Sequence, residues 1–454
     1  MLTGDAQRKL LTGVLGKRSR RMNVAFGAKL TRLAIRAVLP LTLFGCAAPS
    51  HVDPKAIAST APLTERQAIE RLMKISSHFE RLPFIPGNDV TLLQDGPATY
   101  AAMRAAISSA TRRIDMESYQ FDSAGASKFA PLLIQKRAQG VQVHLIYDAW
   151  GSMAQDKGLF DQLRRGGVQV VSYNPLGANG KIDLDLNRRD HRKLLVVDGT
   201  TVITGGVNVT GAYLNPKGSV SADPEKMEWR DTDVRIEGPV AAQFETLWET
   251  TWKEQHGPPL DPAPATPGFV RGPSIVQAID GAPVDGHPVI YETLLSAFAL
   301  AKSSIHLTTG FFAPTPEMDE ALQDAARRGA DVAIVVPAHS DSEAAREAGR
   351  SHYADLLKAG VKIYERQGVV LHAKTAVVDG LWSTVGSSNL DWRSTILNNE
   401  IDAVILGRDF GNKMEAMFRQ DVAASKQITP EMWAQRGLGE RINEIWARLI
   451  ERVL

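Results

Sequence analysis

"HRKLLVVDGTTVITGGVN" (residues 191–208) and "HAKTAVVDGLWSTVGSSN" (residues 372–389) align without a gap, each position of the second lying 181 residues after its counterpart in the first. Both stretches begin with His-x-Lys, contain Asp-Gly between two apolar runs, and close on Gly-x-x-Asn. Asp-Gly between apolar runs predicts a β-hairpin. A single His-x-Lys is weak information, whereas two complete copies in register indicate an internal duplication.

The duplication extends outward from these motifs. "YETLLSAFALAKSSIHLTTGFF" in the second half matches "ATYAAMRAAISSATRRIDMESYQF" in the first, and "ALQDAARRGADVAIVVP" matches "LLIQKRAQGVQVHLIYD". Each copy places helical periodicity before a short apolar strand, and strands that alternate with helices predict an α/β sheet. The Pro/Gly-rich stretch 256–273 is the best boundary between the two copies. The predicted organisation is a tether and N-terminal helix (47–85), a first domain (86–255), a linker (256–273), a second domain (274–430) and a C-terminal amphipathic helix (431–454).

Composition and charge narrow the class of protein. The chain has 454 residues, 44% of them hydrophobic, which suits two globular domains with extensions. The formal net charge of +1 argues against a dedicated nucleic-acid-binding protein, because such proteins usually carry a basic excess. Cys46 is the single cysteine, so no intramolecular disulfide can form.

The N-terminal segment (1–46) has the pattern of a secretory signal. A basic region precedes the short apolar run "AVLPLTLFG", which is too short for an ordinary membrane-spanning helix. Leu43 to Cys46 resembles a bacterial lipobox, in which the cysteine is lipidated, and Met22 is an alternative start. We expect a lipoprotein anchored in the bacterial cell envelope and facing the periplasm; an uncleaved anchor and a chance apolar stretch are the alternatives.

The spacing within each motif assigns its residues to different faces. His191 and Lys193 lie two apart, so they share one face of a strand, as do His372 and Lys374. The two motif aspartates come seven residues after the histidines and are interpreted as hairpin residues that support the site. The glycines at 205 and 386 allow a close approach of the backbone to a ligand. The motif aspartates are Asp198 and Asp379, and the candidate phosphate-binding residues are Gly206, Asn208, Ser387 and Asn389.

Two histidines, two lysines and two asparagines around one point suit a phosphodiester. Lysines and amides can hold its anionic oxygens, and displacement at phosphorus needs attacking and leaving groups roughly in line. One histidine can form a phosphohistidine while the other exchanges a proton with the alcohol. The chain contains no cysteine cluster, His-Glu-x-x-His motif or Asp-rich loop, so no metal or other cofactor is expected.

The paired H-x-K-x4-D-x6-G-[GS]-x-N motifs resemble those of the phospholipase D superfamily across roughly residues 86–430. Three stretches are more narrowly similar to bacterial cardiolipin synthases: residues 229–248, 310–318 and 386–406. The resemblance implies two similar α/β domains, each a mainly β-sheet core covered by helices, joined with pseudo-two-fold symmetry around one shared active site. It also implies an acidic residue supporting each catalytic histidine, with Asp231 assigned to His191 and Glu400 to His372.

The function that this resemblance implies is phosphatidyl transfer, as cardiolipin synthesis from two phosphatidylglycerol molecules, with His191 favoured as the nucleophile. The alternatives are a phospholipase D hydrolase that releases phosphatidic acid, a nuclease, and an inactive lipid-binding scaffold. The expected partners are phospholipid substrates and, through the lipid anchor, the membrane surface; no nucleic acid is expected, and the oligomeric state is open. The C-terminal helix is expected to pack on the globule by an apolar stripe that includes Ile442 and Trp446, with contact to a membrane surface as the alternative.

Overall fold

The computed structural model describes residues 64–76, 82–153, 157–175, 187–214, 227–261, 270–281, 288–340 and 342–450. The predicted signal segment with Cys46, and most of the predicted tether, lie outside the described residues. These described residues form one compact unit.

Sixteen strands in the described residues form one continuous sheet. The strands are β1 Ile85–Gln94, β2 Arg113–Ser118, β3 Gln142–Asp148, β4 Gln169–Tyr173, β5 Lys193–Val197, β6 Thr201–Gly205, β7 Trp229–Arg230, β8 Thr232–Glu237, β9 Ser274–Asp280, β10 Ser304–Thr309, β11 Asp331–His339, β12 Lys362–Leu371, β13 Lys374–Val378, β14 Trp382–Gly386, β15 Ile401–Leu406 and β16 Ser425–Ile428. The helices are α1 Glu65–Ser76, α2 Asp95–Ser109, α3 Ser123–Ala126, α4 Ala130–Ala138, α5 Lys157–Arg165, α6 Ala241–Glu254, α7 Val289–Leu300, α8 Pro316–Arg327, α9 Glu343–Arg350, α10 Tyr353–Ala359, α11 Trp392–Ile396, α12 Arg408–Ala423, α13 Pro430–Ala434 and α14 Leu438–Ile450.

The order of the strands repeats in the two halves of the sheet. From the centre outward, the first half runs β1-β8-β6-β5-β2-β3-β4 and the second half runs β9-β15-β14-β13-β10-β11-β12-β16. The register repeats too: Ile114 pairs with Val197 in the first half, and Ile305 pairs with Val378 in the second. The predicted fold class, two similar α/β domains with pseudo-two-fold symmetry, is confirmed.

The halves join edge to edge, where β1 pairs with β9 in antiparallel orientation. Here α6 ends at Glu254 and β9 begins at Ser274, while 262–269 lie outside the described residues. The predicted domain boundaries stay a prediction, because the described part of the chain forms one compact unit.

A hydrophobic core is shared by the two halves. Trp248 and Trp252 of α6 in the first half belong to one buried cluster with Ala403 of β15 and Met414 of α12 in the second. Both tryptophans are fully buried, and such large side chains each contribute several kcal/mol, on the order of 3–5, to packing. The halves are therefore held by apolar packing as well as by the sheet, which fixes the geometry of anything built between them.

The motif aspartates close the two central hairpins. Asp198 adopts a φ of 53° at the turn between β5 and β6, and its carboxylate accepts backbone N–H groups of Thr111, Arg112 and Arg113 at 2.8–2.9 Å. Asp379 has the same φ and accepts from three consecutive backbone N–H groups before β10. Each carboxylate thus ties a hairpin to the strand beside it, at the opposite end of the hairpin strand from the histidine.

The C-terminal helix α14 packs against α9, with the two described residues of the predicted apolar stripe exposed. Glu444 and Ala447 are buried, whereas Ile442 and Trp446 are 53% and 65% exposed. Glu444 accepts from the guanidinium of Arg436 at 3.1 Å, so the buried carboxylate is paired. None of the helices in the described ranges combines the length and the hydropathy needed to cross a bilayer.

We expect Asp198→Ala to lower the free energy of unfolding by about 1–2 kcal/mol, because three backbone N–H groups lose a charged acceptor. Backbone hydrogen bonds from Arg113 and Thr111 outweigh burial and hold the pKa of Asp198 below its ordinary value. The stabilisation should therefore be present at neutral pH and be lost as pH falls through that lowered pKa. Chemical denaturation measures both effects.

Asp161→Ala is the matched control, because Asp161 is exposed and pairs with exposed Arg164. It should change stability by no more than about 0.5 kcal/mol. Equal stability of the two variants would contradict the structural role of Asp198.

Candidate active site

His191 lies where the chain enters β5, and the second half of the chain fixes its position. Its backbone N–H donates to the carbonyl oxygen of Asn399 at 2.9 Å. Its Nδ1 lies 3.0 Å from each carboxylate oxygen of Glu400 and 3.1 Å from the carbonyl oxygen of Ser387. A proton on Nδ1 satisfies these acceptors and leaves the lone pair of the neutral ring on Nε2.

His372 has the mirrored set of contacts. Its backbone N–H donates to the carbonyl oxygen of Arg230 at 2.8 Å, and its Nδ1 lies 2.7 Å from Oδ2 of Asp231. The hydroxyl of Tyr213 donates to the same carboxylate oxygen at 2.8 Å. The Nδ1 atom of each histidine therefore contacts a carboxylate from the other half of the chain.

The predicted pairing of histidines with acids was wrong, and the two partners are exchanged. Asp231 was assigned to His191 and Glu400 to His372, on the grounds that each acid follows its histidine in the same half. The reason for the exchange is strand pairing. The β7 strand of the first half runs parallel to β12 of the second, with Leu371 opposite Arg230. At the equivalent position, Asn399 of the second half forms an isolated parallel β-bridge with Asp190 of the first. Each acid therefore comes directly after a residue, Arg230 or Asn399, that pairs with the other half.

Hydroxyl groups hold each supporting acid in place. Ser387 and Ser394 donate to the two oxygens of Glu400 at 2.5 and 2.8 Å, while Tyr213 serves Asp231. The sequence interpretation missed Tyr213 and Ser394. The information was present, because the 181-residue register continued past the motif asparagines places Tyr213 opposite Ser394.

Ser387 and Gly206 face the acids instead of the phosphate position that was predicted for them. The fully buried hydroxyl of Ser387 is taken up by Glu400. A Cβ at Gly206 would lie 2.0 Å from Oδ1 of Asp231, so only glycine fits there. Gly206 and Ser387 are counterparts. Gly206 leaves room for the carboxylate of Asp231, and Ser387 donates a hydrogen bond to the carboxylate of Glu400.

The glycines at the ends of β6 and β14 approach buried carboxyl groups rather than a ligand. A Cβ at Gly205 would lie 2.1 Å from Oδ1 of Asp233, and one at Gly386 would lie 1.9 Å from Oδ1 of Asp402. Asp233 accepts the backbone N–H of Val207, and Asp402 accepts that of Ser388. Burial raises the pKa of Asp233 well above its ordinary value and that of Asp402 to about 7. Neither residue was singled out from the sequence.

The charges of the site are buried and close to one another. Burial lowers the pKa of His191 to about 4; the carboxylate of Glu400 opposes this shift, and the charges of Lys193 and Lys374 add to it. Burial also lowers the pKa of Lys193 to about 7, Lys374 contributing in the same direction and Glu400 opposing it. Lys193 and Lys374 donate to the carbonyl oxygens of His191 and His372, which holds both ammonium groups beside the rings. An anion bound beside the two buried lysines would favour their charged forms, which suits a site that binds a phosphate group.

The motif asparagines and several aromatic rings border the histidines. Asn208 and Asn389 are buried, and Oδ1 of Asn208 accepts the backbone N–H of Gln120 at 3.1 Å, which orients its amide. The ring of Tyr119 lies 4.9 Å from that of His191, and the ring of Trp229 lies 5.1 Å from that of His372. Neither Tyr119 nor Trp229 was singled out from the sequence as a neighbour of a histidine.

A comparison with protein-family models identifies the family of this chain. The family model described as "Cardiolipin synthase, PLD-like domain" matches residues 103–248 and 294–422, which includes both histidine motifs. The chain belongs to this family of the phospholipase D superfamily.

Similar proteins agree with the family. A probable cardiolipin synthase of Bacillus subtilis is 30% identical over 388 residues, covering 85% of this chain and 76% of that protein. The major cardiolipin synthase of the same organism is 33% identical over 384 residues, covering 82% and 76%.

Among solved structures, phosphatidylserine synthase from Haemophilus influenzae aligns with a TM-score of 0.62 over 85% of this chain and all of that one. Its sequence identity is 14%, so this likeness concerns the fold.

The exchanged pairing predicts which acid controls which histidine. Glu400→Ala should shift the ring ¹⁵N resonances of His191, because the carboxylate that fixes Nδ1–H is lost, and should leave those of His372 nearly in place. Asp231→Ala should do the reverse. Each variant should lower kcat by a factor on the order of 10²–10⁴, as loss of an orienting carboxylate does in comparable sites.

The measurement is NMR of the full chain with ¹⁵N-labelled histidine, the two resonances being assigned from His191→Gln and His372→Gln. Control variants Glu317→Ala and Asp161→Ala remove acids outside the site. A response of His191 to Asp231→Ala alone would contradict the exchanged pairing.

Proposed function

We propose that this protein transfers a phosphatidyl group through a phosphohistidine, and that its reaction is the synthesis of cardiolipin from two phosphatidylglycerol molecules. The observation that carries the proposal is the pair of buried histidines, each fixed through Nδ1 by a carboxylate of the other half. The names of the relatives, which are cardiolipin synthases, supply the substrate class.

The first step forms the covalent intermediate. Nε2 of His191 attacks the phosphorus of one phosphatidylglycerol, the N–P bond forms, and the P–O bond to glycerol breaks. His372 gives its proton to the departing glycerol oxygen. Lys193, Lys374 and the motif asparagines lie where they can hold the phosphoryl oxygens during the displacement.

The second step resolves the intermediate. The terminal hydroxyl of a second phosphatidylglycerol loses its proton to His372, its oxygen attacks the phosphorus, and the N–P bond to His191 breaks. Both steps use the same groups in opposite directions, so one site serves donor and acceptor.

The lowered pKa of His191 favours it as the nucleophile. With a pKa of about 4, His191 is neutral at physiological pH, and its Nδ1 proton is directed at Glu400. The free lone pair then lies on Nε2, where an attack on phosphorus requires it. As the N–P bond forms, positive charge develops on the ring, and the buried carboxylate of Glu400 on Nδ1 stabilises that charge.

Exposed apolar side chains near the site support a lipid substrate. Trp150 is 53% exposed and Met153 is 60% exposed, in the segment after β3. Asp148 accepts the backbone N–H groups of both Trp150 and Asp190, so this segment is tied to the residue before His191. Ile396, which is 48% exposed, ends the helix that also carries Ser394.

A product assay tests the proposal. Purified protein given phosphatidylglycerol in vesicles should form cardiolipin and free glycerol, with phosphatidic acid as a minor product. His191→Ala and His372→Ala should each lower turnover by a factor of about 10⁴ or more, and the double variant should be little worse than either, because the residues act as one unit.

His256→Asn is the matched control, since His256 follows the end of α6 outside the site and asparagine tolerates its φ of 57°. It should keep near-normal turnover. Mostly phosphatidic acid from the wild type would make the protein a hydrolase, and near-normal activity of either alanine variant would contradict the shared site.

We also propose that the protein is a lipoprotein of the bacterial envelope, anchored at Cys46 and facing the periplasm. Support comes from the basic and apolar segments before Cys46 and from a substrate that resides in the bilayer. Anchoring raises the local concentration of lipid acceptors relative to solution, which favours transfer over hydrolysis.

Labelling of cells with a palmitate analogue should mark the wild type and not Cys46→Ser, because the cysteine is the attachment point. Ser59→Ala, in the same region, should label like the wild type. Equal labelling of Cys46→Ser and the wild type, or none in either, would contradict lipidation at Cys46.

A further inference from the structure

The C-terminal helix α14 turns apolar side chains away from the protein. Glu444 and Ala447, three residues apart, share its buried face. Ile442 and Trp446, four residues apart, share the other side of the helix, and each is more than half exposed. An amphipathic helix on a globular protein normally has the reverse arrangement, with its apolar face on the core. This exposed stripe, Ile442 and Trp446, therefore faces away from the core of its own chain.

The acidic residues of α14 are paired with arginines of the protein. Glu444 accepts from Arg436 at 3.1 Å, and a carboxylate oxygen of Glu440 lies 3.6 Å from the guanidinium of Arg350. Both arginines also lie over the ring of Trp433, at 4.4 and 5.1 Å from its centre. These contacts hold the helix with its acidic side towards the protein, and they offset the negative charge of that side.

The exposed positive charge of α14 lies beside the exposed stripe. Arg441 and Arg448 are exposed, and because they are seven residues apart they lie on one side of the helix, at a border of the stripe. Arg441 donates to the carbonyl oxygen of Ala434 at 2.9 Å, which is a neutral partner. A helix with tryptophan and aliphatic side chains on one face and arginines beside them is suited to the interface of a bilayer. Its positive charge complements anionic phospholipids.

The helix is close to the His372 side of the active site. Ala447 of α14 belongs to one small buried cluster with Ala313. The backbone N–H of Ala313 donates to the carbonyl oxygen of Leu390 at 2.8 Å, directly after the second motif. Two residues before Ala313, the ring centre of Phe311 lies 6.4 Å from that of His372. The helix therefore packs on the segment that borders this histidine.

Exposed apolar side chains also occur on the His191 side. Gly151 lies so close to Tyr119 that a Cβ at this glycine would be 2.3 Å from the carbonyl oxygen of Tyr119. The ring of Tyr119 in turn lies 4.9 Å from that of His191. Trp150 and Met153, beside this glycine in the chain, are both more than half exposed. Both histidines thus have exposed apolar side chains in their neighbourhood, which suits a substrate delivered from a bilayer.

We propose that α14 is an interfacial helix that lies in the surface of an anionic phospholipid bilayer and so holds the His372 side of the site at the level of the lipid headgroups. Ile442 and Trp446 enter the apolar boundary of the bilayer, and Arg441 and Arg448 face its phosphates. The proposal rests on the proposed function, because the bilayer is the one that contains the phosphatidylglycerol substrate. An anchor at Cys46 would tether the chain, whereas this helix would orient the site.

A fluorescent label on the helix tests the contact directly. In the full chain with Cys46→Ser, Ile442→Cys leaves a single cysteine, which is labelled with a nitrobenzoxadiazole dye. Vesicles of equal parts phosphatidylcholine and phosphatidylglycerol should shift the emission to the blue and raise its intensity about twofold or more, because the dye leaves water. Nitroxide-bearing lipid should quench it. The matched control carries the label at Arg327→Cys, exposed at the end of α8, and should not respond.

The apolar contact is tested in the labelled chain by Trp446→Ser. This change should weaken the vesicle binding that the label reports about tenfold, because a large exposed apolar side chain is lost. Val270→Ser is the control, since Val270 is also a strongly exposed apolar residue but lies outside the helix. It should leave binding unchanged. Circular dichroism and thermal unfolding of each variant report folding.

The charged contact is tested by Arg441→Gln combined with Arg448→Gln. At low salt this pair of changes should weaken binding to the anionic vesicles about tenfold and leave binding to pure phosphatidylcholine vesicles within about twofold. Arg327→Gln combined with Arg328→Gln removes the same charge from exposed positions at the end of α8 and should leave both affinities unchanged.

Three results would overturn the proposal. One is a label at position 442 that does not respond to vesicles, and another is a loss of binding in Val270→Ser as large as that in Trp446→Ser. The third is a blue shift without lipid that grows with protein concentration, since it would assign the exposed stripe to a second copy of the chain.

The proposed function fails separately, because the label reports contact without turnover. Protein whose label enters the bilayer but that forms only phosphatidic acid has the proposed interfacial helix and is not a transferase. Protein that forms cardiolipin while the label stays in water is a transferase without this contact.

Discussion

The hydrogen bonds that cross between the halves, from His191 to Glu400 and from His372 to Asp231, are the interactions on which the rest of the site depends. Neither half contains both a motif histidine and the carboxylate that orients it. A buried carboxylate is costly unless it is paired, and each of these is paired only when the other half is in place. Correct joining of the halves and assembly of the catalytic site are therefore the same event.

The shared core and the short crossing strand hold the two halves in the arrangement that the site requires. The β7 strand has two residues, yet its pairing with β12 places Asp231 beside His372. Such a short pairing holds little by itself, and the stiffness comes from the large apolar cluster between α6 and the strands of the second half. Close packing in a core of this kind resists small displacements, which suits a reaction that needs attacking and leaving groups in line.

The two halves have the same plan but different chemical detail. The hydroxyl of Tyr213 donates to Asp231 in one half. In the other half, two serine hydroxyls donate to Glu400, whose side chain is longer. One histidine acts as the nucleophile and the other as the acid and base in the proposed mechanism, so identical surroundings would not suit both.

The sequence by itself determined the duplication, the α/β class, the histidines and lysines, and the hairpins closed by Asp198 and Asp379, because these depend on local spacing and on strand periodicity. The tertiary structure alone decided which acid serves which histidine, since that follows from a strand that crosses between halves. It also turned Ser387 and Gly206 towards the acids, because side-chain direction at the end of a strand depends on what packs beneath it. The 181-residue register aligns Tyr213 with Ser394, but only their contacts in the structure show that both donate to a supporting acid.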